Sequence, residues 1–114
     1  MDTKNTVKAG GSQLNDIGIF IRGVVISNRA QKITKKDGSG VLALVSHELA
    51  LSPGLAVLQR FLDPKENPSV TIEGDEVTKY PELTLFEPIA AKVARIQERN
   101  GQISSSSWEI TQQG

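Results

Sequence analysis

The sequence predicts a mostly β protein: a small OB-like Greek-key barrel with one short helix near 53–62. Three observations carry that expectation. β-Branched residues dominate Ile17 to Ile33, turn chemistry recurs at intervals near ten residues, and 114 residues is the length of one domain. Surface scaling lets a chain of this mass bury roughly two-thirds of its surface, so a core is feasible without metals or disulfides.

Residues 1–15 are polar, contain the Gly10-Gly11 pair and lack periodicity, and so read as a flexible N-terminal arm. The barrel domain is expected over 16–103, followed by a Ser-rich polar tail over 104–114. In the first strand Ile17, Ile19 and Ile21 alternate with Gly18, Phe20 and Arg22, and Gly23 then interrupts before Val24-Val25-Ile26. A glycine inside a strand marks a bulge or bend. The strand is therefore expected to bend at Gly23 and serve two sheets. Lys35-Lys36-Asp37-Gly38-Ser39-Gly40 supplies a tight turn, because Asp-Gly tolerates positive φ. Ile17–Ile33 and Val41–Ser46 are its two arms.

Ser52 can cap a helix with Pro53 at its first position, and Leu55, Leu58, Phe61 and Leu62 share one helical face. This favours a helix over 53–62, with a buried strand from Leu55 to Leu62 as the alternative. Two prolines between Asp63 and Pro68 make that stretch a loop. Val70 and Ile72 before Gly74 suggest a strand ending in a turn, and Leu83 to Phe86 continues the β character. Over 89–99 Ile89, Val93 and Ile96 fit a helix, yet the Asn100-Gly101 hairpin signal favours a strand. Ser104 to Ser107 is low in complexity, and Trp108 beyond it is expected to cover a barrel end rather than stack on a ligand.

Several function classes are disfavoured. The chain has no Cys and a single His, His47, which removes disulfides, thiolate zinc sites and His-His metal sites. His47 and Glu48 are adjacent, so on a strand they face opposite ways and cannot act as a base–orienter pair. Glu73, Asp75 and Glu76 lack the spacing of a calcium loop. No phosphate-loop, dinucleotide or nucleophile-elbow motif is present. The expectation is a protein that is not an enzyme and holds no cofactor or metal. No apolar run reaches the ~18–20 residues of a membrane span, and the N-terminus has no apolar signal core. A cytoplasmic protein, of a bacterial or virus-infected host cell, is the default.

The 13 basic and 13 acidic side chains sum to zero, but unevenly along the chain. Arg22, Arg29, Lys32, Lys35 and Lys36 fall in a stretch without an acid, whereas Glu73, Asp75, Glu76, Glu82 and Glu87 face Lys79 alone. With a Debye length of ~8 Å, separated patches act locally. The basic hairpin would neutralise phosphates with little sequence preference, and Lys92 and Arg95 would extend the groove. Phe20 and Tyr80 are the candidate base-stacking residues, with Tyr80 as a loop anchor the alternative. Single-stranded DNA is the expected partner, with RNA the alternative polymer.

The Arg22–Lys36 basic strand, the Lys-Lys-Asp-Gly-Ser-Gly turn, Pro53-Gly54-Leu55 and the β-rich stretch from Val70 to Ile96 follow an order that resembles the single-stranded DNA-binding proteins of filamentous bacteriophages. The resemblance spans 17–99 and rests on order and residue character rather than on a diagnostic motif. It implies an OB-like fold, a homodimer or higher homo-oligomer, and cooperative coating of a replicating phage or mobile-element strand. This chain departs from that family in its leading arm, its few aromatics and its Ser-rich tail. The rival expectation is a β-rich structural or assembly subunit, for instance of a phage particle, that self-associates through both termini.

Overall fold

The computed structural model describes residues 18–113, and the arm expected over 1–15 lies outside them. These residues form nine strands and no helix: β1 (Ile19–Thr34), β2 (Val41–Leu51), β3 (Gly54–Leu62), β4 (Thr71–Glu73), β5 (Glu76–Lys79), β6 (Pro88–Val93), β7 (Gln97–Arg99), β8 (Gln102–Ser105) and β9 (Trp108–Gln113). Seven of them build one mixed sheet in the order β7-β8-β3-β2-β1-β6-β9, curled into a half-barrel, while β4 and β5 pair as a separate hairpin. The chain is mostly β, as its alternation and turn spacing predict, in a form consistent with a small barrel.

At 16 residues β1 is long enough for two neighbours. Ile19–Val24 pairs antiparallel with β6, and Val24–Thr34 pairs antiparallel with β2. The strand thus serves two partners in one sheet, not two sheets. The bulge also differs in position from the one expected at Gly23: the register slips between Val25 and Ser27, leaving Ile26 as the extra residue. Gly23 answers a different need. A Cβ there would lie 2.7 Å from the carbonyl oxygen of Ala50, too close for any side chain.

The helix expected over 53–62 is strand β3. Gly54 has φ 115, a value outside the helical region, and Ala43–Leu51 of β2 pairs with all of β3. The apparent helical stripe arose because apolar side chains occupy both faces of β3. Ala56 and Leu58 are buried in the core, whereas Leu55 and Phe61 stand exposed on the other face. The strand expected within 89–99 is present as β6 and β7. Asn100 and Gly101, with φ 54 and 79, make the hairpin turn to β8.

The Ser-rich stretch expected as a tail lies in the sheet, so the folded unit runs past 103. β8 runs parallel to β3 and β9 runs antiparallel to β6, so Ser106-Ser107 carries the chain across the open side of the curl. Trp108 covers that side. Its Nε1–H donates to the Gln59 carbonyl at 2.8 Å, and its ring meets His47 edge-on at a centroid separation of 5.6 Å. Ile21, Val25, Leu49, Leu58 and Ile89 form the main core beneath it. A second cluster of Ala43, Val45 and Val70 lies toward the β4–β5 hairpin.

Candidate nucleic-acid interface

Side chains alternate across a strand, so one extra residue in β1 changes which face each later cation takes. Before Ile26 the core side of β1 is Ile21 and Val25, and Phe20, Arg22 and Val24 point outward. After it, Asn28, Ala30 and Lys32 sit opposite buried His47, Val45 and Ala43, while Arg29 sits opposite Ser46 on the outward face. Arg22 and Arg29 therefore share the outward side, and Lys32 is on the other.

The outward face of β1 and β6 brings together three of the expected residues. Phe20 pairs in register with Lys92, and Arg22 with Ala90. The Arg22 guanidinium lies 5.4 Å from the centroid of the Phe20 ring, within cation–π range. Phe20, Arg22, Lys92 and Gln112 line a surface groove, which Glu109 also borders. Among the described residues no carboxylate forms an ion pair with Arg22 or Lys92.

The other cations are distributed differently. Arg29 lies 3.6 Å from Glu48, whose other oxygen accepts the Ser27 hydroxyl proton at 2.6 Å. Lys32 reaches the β4–β5 turn, 3.5 Å from Asp75, and donates to the Gly74 carbonyl at 3.0 Å. Lys35 lies 3.5 Å from Asp63, whose carboxyl is held below its usual range chiefly by the backbone N–H of Lys65. Lys36 projects from the hairpin tip, and Arg95 is exposed in the bend after β6. The basic strand and the acidic stretch forty residues later thus meet in the fold at Lys32 and Asp75. The five early cations do not make one surface.

Tyr80 is an anchor rather than an exposed platform. It packs half-buried against the second core cluster, and burial, then Glu82, pushes its phenol upward. Arg60 and Phe86, neither among the expected site residues, also have defined environments. Arg60 lies 4.0 Å from the Trp108 ring centroid and donates through Nη2 to the Trp108 carbonyl, so its charge is spent on closure of the curl. Phe86 has φ 66 and is 72% exposed. The β character expected from Leu83 to Phe86 is not realised, since Leu85-Phe86 is a turn, and no sequence signal marks a phenylalanine for the left-handed region.

His47 is buried and hydrogen-bonded through Nδ1 to Asn28 Oδ1 at 2.6 Å. Among the described residues no three His, Asp or Glu side chains gather as a metal site would require, and no helix is long and apolar enough to cross a membrane. Comparison with protein-family models, curated proteins and solved structures found no match to this chain.

Proposed function

We propose that the protein binds single-stranded DNA with little sequence preference, through the outward face of β1 and β6. The observation that carries this reading is the Arg22 guanidinium stacked against Phe20 with Lys92 directly across the strand pair. Cations free to meet phosphates supply affinity by counterion release, and a neighbouring aromatic offers bases a face without choosing among them. Arg29 and Lys36 extend the track along β1 and its hairpin, Arg95 extends it beyond β6, and Lys32 and Lys35 serve the fold. Coating of a replicating phage or mobile-element strand is the process that fits such a binder.

Fluorescence anisotropy of a labelled oligo-dT strand over a salt series tests it. The expected result is binding at low salt that weakens linearly in log[salt]. No binding at low salt, or an affinity indifferent to salt, would sink the reading.

One observation favours the rival, an assembly subunit. β9 is the last strand of the sheet, and its sequence Trp108–Gln113 contains no Pro or cation to discourage pairing with another copy. Light scattering separates the two readings: large closed oligomers that persist without nucleic acid favour assembly.

A further inference from the structure

Phe86 is the most strained and most exposed large apolar residue among those described. Its φ of 66 is disfavoured for a bulky side chain, and its ring is 72% exposed. Asn or Gly would take that backbone conformation at lower cost. The turn is nonetheless fixed rather than loose. The Phe86 N–H donates to the Val25 carbonyl at 2.6 Å, and the Val25 N–H donates to the Glu87 carbonyl at 3.1 Å. Both backbone groups of Val25, immediately before the bulge, are thus committed to holding this turn.

The position is equally informative. Pro88 pairs in register with Val24, so Phe86 stands two residues before the start of β6, against the middle of β1. Along the β1–β6 pair Phe20 and Lys92 lie toward the far end, with Arg22 between them and Phe86. An exposed aromatic ring held on a hydrogen-bonded turn, on the strand pair that carries Arg22 and Lys92, matches what base stacking demands. A base needs a flat apolar face, and its strand needs nearby positive charge.

We propose that Phe86 is a base-stacking platform of the single-stranded nucleic-acid interface; this rests on the binding reading above. The ring takes a base by face-to-face contact, while Arg22 and Lys92 hold phosphates further along the bound strand. The left-handed backbone keeps the ring out of the core, and the two hydrogen bonds to Val25 reduce the ordering cost at binding.

The test compares oligo-dT with an abasic strand of equal length, by anisotropy, for the wild type, Phe86→Ala and Phe86→Asn. Asn accommodates the left-handed backbone, so it removes the ring without disturbing the turn. Both variants are expected to weaken oligo-dT binding about 5- to 150-fold while leaving abasic affinity and the salt slope unchanged. Phe86→Trp is expected to retain binding and to show emission quenched by oligo-dT beyond any change in the wild type. Unchanged oligo-dT affinity in Phe86→Asn overturns the proposal, as does an equal loss on both strands. A wild type that binds neither strand at low salt instead overturns the underlying binding reading, and this proposal with it.

Discussion

The Asn28 carboxamide ties the imidazole of His47 to the backbone of Leu83, and the arrangement fixes the proton. Asn28 Oδ1 accepts the Leu83 N–H at 3.1 Å, Nδ2 donates to the Leu83 carbonyl at 2.9 Å, and the same Oδ1 meets His47 Nδ1 at 2.6 Å. His47 therefore carries its proton on Nδ1 and is neutral. Burial, then the Arg60 charge, pushes its pKa down to about 4, against a smaller opposing pull from Glu82. The unfolded chain takes up a proton near pH 6.5, well before the folded one. Stability from the neutral imidazole is thus complete above about pH 6.5 and is lost progressively as pH falls to 4, up to about 3 kcal/mol. Urea midpoints should fall across that window, and His47→Gln should flatten the part due to the imidazole. Asn28→Asp should raise the His47 pKa, read by NMR, because a carboxylate favours imidazolium. That His47 and Glu48 take opposite faces of a strand is legible in the sequence. The Asn28 clamp is not, because Leu83 lies 55 residues from Asn28 and only the fold joins them.

At the scale of elements, β1 organises the molecule. It is flanked by β2 and β6, and its bulge sets which cations face outward. Gly23 permits the close approach to Ala50 on which the β1–β2 junction depends. Gly23→Ala should destabilise the protein by about 1–3 kcal/mol, seen as a lower urea midpoint with an unchanged slope. Gly38→Ala, where a Cβ meets open space, should cost about 1 kcal/mol from the left-handed backbone alone. A small loss at position 23 and a large one at position 38 would contradict this account. The β1–β2 and β7–β8 hairpins are legible in sequence, because Asp37-Gly38 and Asn100-Gly101 are local turn chemistry. β3 is legible only as the alternative to a helix, since Leu55, Leu58, Phe61 and Leu62 fit a helical stripe until β2 is present to pair with them. The slip at Ile26 leaves no sequence mark either, so the faces of Arg29 and Lys32 cannot be assigned in advance.

Across the whole molecule, a net charge of zero resolves into two kinds of cation. Lys32 and Lys35 are ion-paired within the chain to Asp75 and Asp63, and Arg60 clamps Trp108 where the curl closes. Arg22 and Lys92 face outward between Phe20 and the groove bordered by Glu109. The pairing of distant charges is a property of tertiary structure, which is why a basic stretch in the sequence overstates the basic surface. The most direct test of this division is the slope of log affinity against log[salt] for oligo-dT, measured for the wild type, Arg22→Ala/Lys92→Ala and Lys32→Ala/Lys35→Ala. Each phosphate contact on a single strand contributes about 0.7 to the magnitude of that slope, so the outward-facing double variant should lose about 1.4. The ion-paired double variant should keep the wild-type slope. A slope unchanged in the first variant and reduced in the second would contradict the assignment of the interface to the outward face of β1 and β6.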